Sequence, residues 1–228
     1  MALGTRAASS LCRVGPPFLQ HVPHRTHLVL TGDDSMAMTD DNKRKNAIFE
    51  GLQGLFMELD RAFQMIRERH PGEFSCKKGC ADCCHAFFDV SYIEAKALRR
   101  GLDALPRRIR REIVKQAKKA RRQLERMGHG ADPSKVRMRC PLLQQGNTCA
   151  LYELRPVNCR TYGVPTSFQG KAHVCPMTGF EPGVQYTTLN LDPVQERLFV
   201  LSVEVGGTGH GHARFTVPDL ILAPEGLL

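Results

Sequence analysis

The 228-residue chain predicts a mostly α fold with irregular Cys-rich loops and a minor β component, a small single domain stapled by metal. Three observations carry that expectation. Apolar residues recur at steps of three and four in two long stretches, as they do on helices with one buried face. Eight of the nine cysteines fall between residues 76 and 175, in two groups. The segment holding the second group lacks either period and is rich in Cys, Pro and Gly.

Residues 1–38 are expected to be a disordered extension, or to precede a working start at Met36 or Met38. Arg6, Arg13 and Arg25 lie there, and residues 1–32 hold no acid. "SSLCRVGPPFLQHVPHR" is interrupted by arginine and proline, whereas a secretory signal needs an apolar core of about 7–15 residues. An organellar transit peptide, also poor in acids, is the other reading. Cys12 lies in this stretch, apart from the remaining eight. Without an export signal the expected compartment is the reducing cytoplasm, where clustered cysteines bind metal or do redox chemistry more often than they form disulfides. No apolar run approaches the roughly 18 residues of a membrane span.

Residues 39–205 are expected to form a helical cysteine-cluster domain. Over 40–69, Ile48, Leu52, Leu55, Leu59, Phe63 and Ile66 line one face. Thr39 or Asp40 can cap this helix, and Pro71-Gly72 ends it. "SYIE" at 91–94 is a capping box that opens a short helix to about Arg100. Pro106 begins a longer helix closed by Gly128, with Ile109, Ile113, Ala117, Ala120, Leu124 and Met127 as its stripe.

From Lys96 to Arg126 there are thirteen Lys/Arg against three Asp/Glu, a net of +10, while the whole chain is +9. The basicity is therefore one local face. It is either a solvated surface or a site for nucleic acid or an acidic protein partner. No aromatic residue interleaves with it, which argues against base stacking. Residues 129–183 are expected as loops and turns, "VQYTTLNL" (184–191) as a strand, and "DPVQERLFVLSVEV" (192–205) as a helix capped by Asp192 with Pro193 in its first turn. Residues 206–228 are expected as a flexible or edge-strand tail.

The cysteines form Cys76-x3-Cys80-x2-Cys83-Cys84 and Cys140-x8-Cys149-x9-Cys159-x15-Cys175. In a helix the first four would share one stripe. If Gly79 breaks the run, Cys80 and Cys83 become a CxxC knuckle. Extended chain would send Cys83 and Cys84 to opposite faces and different metals; helical chain would let both touch one polynuclear cluster. The second group sits beside Pro141, "GNT", "RPVNCR" and Pro176, positions suited to ligands on loops rather than to buried apolar fillers.

Crowded thiolates repel, and a soft metal relieves the repulsion. Unrelated core cysteines, a disulfide framework and a thioredoxin-like redox pair are the competing readings, and metal ligation is preferred. Zinc and iron–sulfur clusters both take thiolates, usually four. Iron is slightly favoured, because a vicinal pair and surplus thiols suit a polynuclear centre. His85 and His173 are candidate substitute ligands, and His210-x-His212 a candidate accessory metal site on a strand face. Lys77, Lys78, Arg137, Arg139, Arg155 and Arg160 lie near the cysteines in sequence and could offset their charge.

"CKKGCADCC", "CPLLQQGNTCALYELRPVNCRTYG" and the later Cys175 together resemble the YkgJ-like cysteine-cluster family over roughly residues 73–178. The resemblance implies a zinc- or iron-chelating domain with Cys76, Cys80, Cys83, Cys84, Cys140, Cys149, Cys159 and Cys175 as ligands. The string "YExRPxxCR" falls on Tyr152, Glu153, Arg155, Pro156, Cys159 and Arg160. Glu94, Tyr152, Glu153, Arg155 and Arg160 are expected to support the ligands, with Arg155 and Arg160 donating to Glu153, Glu94 or an anionic sulfur site, and substrate anion binding is the other reading. Flagellin lysine methylases carry a similar cluster, which implies modification chemistry as one outlet. "GGTGHGH" follows a helix rather than opening one, so it does not qualify as a nucleotide loop. No nucleophile–base pair stands out, and catalysis stays open. The resulting expectation is a metal-cluster protein with redox or modification chemistry. The alternatives are a zinc-stapled binding module whose basic helix docks nucleic acid or an acidic protein, and metal storage or delivery.

Overall fold

A computed structural model of the chain describes residues 40–77, 79–127, 135–181, 183–224 and 226. All of them belong to one unit spanning residues 38–228. The expectations for residues 1–38, for Lys78 and for Gly128 lie outside the described residues.

The fold is mostly α with small sheets. Helix α1 (Asp40–Arg69) places Asp40 and Asp41 in its first turn and Arg67 and Arg69 in its last, matching the helix dipole at both ends. Ile48, Leu52, Leu55, Phe56, Leu59 and Ile66 are buried on its inner face, while Phe63 is half-buried and meets the Phe74 ring edge-on. Strand β1 (Asp89–Ser91) leads directly into α2 (Tyr92–Ala104), which runs four residues past the expected end at Arg100. Helix α3 (Arg107–Met127) follows after a short break.

Helix α2 is central because it is apolar on two sides. Ile93 and Ala97 join α1, Val157, Leu191, Val194 and Leu198 in one core. Ala95, Leu98 and Leu102 join Ile113 and Ala117 of α3 and the C-terminal Val217, Leu220 and Ile221 in a second. Ser202 ties the first core together: its hydroxyl accepts from the Ile93 amide at 3.2 Å and donates to the Leu198 carbonyl at 2.6 Å.

The segment expected to be loops contains α4 (Val157–Thr161) and a hairpin of β2 (Thr166–Phe168) and β3 (Lys171–His173). Its turn, Gln169-Gly170, has positive φ at both residues, the geometry that matches strand twist in a two-residue hairpin. These loops also bring their own core residues. Leu142, Leu143, Leu151, Val157 and Val164 are buried, and Cys140 and Cys149 pack against the second core. Scattered apolar residues in aperiodic chain leave no pattern for a sequence to display.

Only Leu189–Asn190 (β4) of the expected 184–191 strand forms a ladder, parallel to β2. Helix α5 (Asp192–Gly206) begins at Asp192 itself, with Leu191 in the capping position. The Asp192 carboxylate accepts instead from the Gln169 amide at 2.9 Å, pinning the hairpin to α5. Beyond it, β5 (Arg214–Thr216) pairs antiparallel with β1, Val90 opposite Phe215. Helix α6 (Val217–Leu222), which no periodicity announced, then packs on α3 with Val217, Leu220 and Ile221 buried. Among the described residues no helix is long and apolar enough to cross a membrane.

Candidate metal centre

The first cysteine group forms a run of turns and not a helix. Gly79 has φ +92°, a left-handed conformation that ends any helical run and favours glycine. Around it, the Cys80 amide donates to the Lys77 carbonyl at 2.9 Å and the Cys84 amide to the Ala81 carbonyl at 3.0 Å. The knuckle reading of this segment replaces the helical stripe.

Main-chain hydrogen bonds join the two cysteine groups. The Cys140 amide donates to the Cys84 carbonyl at 2.7 Å, and the Met138 amide to the His85 carbonyl at 2.9 Å. Ala86 and Arg137 complete this antiparallel bridge. The chain then folds back on itself, Leu143 opposite Cys149, which returns Cys149 towards Cys140. At the tip of that loop, the Asn147 side-chain amide donates to the Gly79 carbonyl at 3.0 Å. Cys159 arrives on α4. Cys175 follows β3 and its thiol lies 3.9 Å from the Asp82 carboxylate.

Thiol electrostatics sort the eight into two overlapping neighbourhoods. Burial pushes Cys76 up to about 11, with Cys80, Cys175 and Cys83 as the repelling thiols. Burial likewise raises Cys175, helped by Asp82, Cys80 and Cys83. The other neighbourhood centres on Cys83, whose sulfur accepts a hydrogen bond from the Cys84 thiol. That bond lowers Cys83 to about 7 and raises Cys84 well above the ordinary thiol range. Burial raises Cys140 to about 12 and holds Cys159 well above the ordinary thiol range, and both feel Cys83 and Cys149. Burial raises Cys149 too, against the lowering pull of Arg155. Cys83 thus belongs to both sets, and neither set respects the two groups seen in sequence.

The expected supporting residues are partly redistributed. Glu94 is 2% exposed and accepts from the Ser91 amide and hydroxyl and, across the chain, from the Val157 amide at 2.8 Å. It therefore closes the capping box and fixes the start of the helix that carries Cys159. Arg155 stacks over the Tyr152 ring at 3.8 Å, donates to the Tyr152 carbonyl, and acts as the cation beside Cys83, Cys149 and Cys159. Arg160 meets neither Glu94 nor the Glu153 carboxylate. It pairs with Asp60 of α1 at 2.5 Å, lies 4.2 Å over Phe56, and donates to the Glu153 and Arg155 carbonyls. A buried guanidinium needs several acceptors, and main-chain carbonyls supply what a second carboxylate would have.

Asp82 is the residue that spacing did not reveal. Its carboxylate accepts from Arg137 and from the Tyr162 hydroxyl at 2.8 Å, beside Cys175. Gly163 is another. A Cβ there would stand 2.6 Å from the Cys76 sulfur and 3.2 Å from the Phe63 ring, so only glycine lets the first group lie this close. Its position in "CRTYG" was the available signal. His85 holds the Ala81 carbonyl, His210 stacks on Tyr92, and His212 on Phe199. His210 lies in a 3-10 turn, so no strand face pairs it with His212. A cleft of about 1390 Å³ opens beside Cys175, with Arg137, Tyr162, His173 and Phe168 in its wall.

Residues 75–176 match the CxxCxxCC family, described as a "Putative zinc- or iron-chelating domain". Comparison with curated proteins and with solved structures gave no match. The family match supports zinc or iron chelation by this segment and agrees with the cysteine-cluster resemblance of the sequence.

The CxxCxxCC segment fits such a metal by its donor chemistry. Eight free thiols lie in overlapping neighbourhoods, none of them in a disulfide. Soft thiolates are the donors that zinc and iron–sulfur clusters take. Among the described residues, no three His, Cys, Asp or Glu side chains are already drawn together as a bound ion would hold them. Binding would therefore require the thiols to lose protons and close in together.

Proposed function

We propose that the CxxCxxCC segment holds a thiolate-bound metal centre, an iron–sulfur cluster in preference to zinc, with Cys76, Cys80, Cys83, Cys84, Cys140, Cys149, Cys159 and Cys175 as the ligand pool. The Cys84–Cys140 main-chain bond carries this reading, because it merges cysteines 56 residues apart into one sulfur-rich region. Cys83 belongs to both neighbourhoods and Cys84 is bonded to it, which suits a polynuclear centre or two adjacent ones. Arg155 offsets negative charge at Cys83, Cys149 and Cys159. Glu94 holds the Cys159 helix in register, and Asp82 orients Arg137 and Tyr162 at the Cys175 edge.

Bound there, an iron–sulfur cluster would supply one-electron transfer, whereas zinc would chiefly hold the fold. The cleft beside Cys175 gives room for a redox or modification substrate. Free thiols in this number suit a reducing cytoplasm. Purification without oxygen, followed by metal analysis and a visible spectrum, tests the proposal. Iron with acid-labile sulfide and colour supports it. One or two equivalents of zinc in a colourless protein moves the assignment to a zinc-stapled binding module. That second reading is favoured by one observation, the exposed cations of α3.

A further inference from the structure

We propose that the outer face of α3 binds the phosphate backbone of double-stranded nucleic acid, whichever metal the cysteines hold. Ile113, Ala117 and Ala120 are the buried residues of α3, and Ile113 and Ala117 join residues of α2 and α6 in the second core. At about 100° per residue, the direction opposite that core carries Arg107, Arg108, Arg111 and Lys115 in the first half of the helix. It carries Lys118, Lys119, Arg122 and Arg126 in the second. All eight are exposed, and none has an ion-pair partner among the described residues. They fill an arc of about 120° and extend over about 29 Å of helix axis. Glu125, on the edge of the arc, is engaged by Arg121 at 3.5 Å.

This stripe works against its own helix. The first turn of α3 contains no acid, so Arg107 and Arg108 sit at the positive end of the dipole. Cations four residues apart, such as Arg107 with Arg111, Arg111 with Lys115 and Lys118 with Arg122, repel along the face. A solvated surface would be more stable with alternating signs. An external polyanion removes both penalties.

The composition of the stripe selects the polyanion. It holds no apolar or aromatic side chain. Protein interfaces are enriched in aromatic residues and depleted of lysine, and single strands bind through rings on which their bases stack. Insertion into a lipid surface needs a free apolar face, and that of α3 is used up in the core. Phosphates recurring along a rigid duplex ask only for a straight row of cations. Anchoring against α6, with Arg121 3.4 Å from Asp219, holds α3 as such a rod.

The test is equilibrium binding of the metallated full chain to a duplex of mixed sequence, about two turns long, across a salt series. Log affinity should fall against log salt with a slope of about −3.6 to −5.4, as about four to six neutralised phosphates predict. The variant R111Q/K115Q/K118Q/R122Q should bind at least about tenfold more weakly near 0.15 M salt, with a slope shallower by up to about four. Its melting temperature and metal content should be unchanged or higher. The variant R44Q/R61Q/R69Q/K171Q removes the same charge from other exposed sites and should bind like the parent. Equal losses in both variants would overturn the proposal. So would the absence of duplex binding, or tighter binding of the parent chain to polyglutamate or to vesicles of anionic phospholipid. Those last comparisons use unmodified protein and decide the matter even if a variant misfolds.

Discussion

Glu94 is nearly inaccessible to water, yet it carries three donors from two parts of the chain: the Ser91 amide, the Ser91 hydroxyl and the Val157 amide. Glu94→Ala would leave two of them as unsatisfied amides. An expected loss of about 2–4 kcal/mol would appear as a lower denaturation midpoint at unchanged slope, with Glu94→Gln losing less. "SYIE" made the capping half of this role legible, since its partners are three residues apart. The Val157 half was not, because it joins residues 63 apart that only the packing of α4 brings together. Gly163 poses a steric question. Gly163→Ala places a methyl group 2.6 Å from the Cys76 sulfur, so Cys76 or Phe63 must move. We expect a loss of about 1–3 kcal/mol and a lower metal stoichiometry, read by elemental analysis of protein purified without oxygen.

Among the elements, α1 and α3 were the most legible, because long amphipathic stripes repeat one signal many times. The short ones were not. Helix α6 has six residues, too few for a period to declare itself, and it is buried by α3 rather than by its own sequence neighbours. The contact between α3 and α6 can be tested at Ile113, which is fully buried. Ile113→Ala should cost about 2–5 kcal/mol, whereas Leu124→Ala, at a half-buried position of the same helix, should cost clearly less. Chemical denaturation of the two variants compares them directly. Equal costs would mean that α3 is not seated as described.

For the whole molecule, the sulfur region and the apolar cores share the work of holding the loops. Cys80 is exposed, while Cys149 packs against the second core. In metal-free protein, Cys80→Ala should therefore change stability by less than about 0.5 kcal/mol, and Cys149→Ala by more. In metallated protein both should lose metal, and the melting temperature should fall with it. Chelation of the parent chain should lower its melting temperature without abolishing cooperative unfolding, since Leu142, Leu143 and Leu151 remain buried. By itself, the sequence determined the long helices, the local basic face and the presence of eight soft donors, because each is encoded in period, charge or residue type over short range. The tertiary structure alone decided which thiols are neighbours and which carboxylates the arginines meet. It also decided that the loops carry a core, because those facts depend on contacts between residues far apart in the chain, whose spacing in sequence holds no record of where they meet.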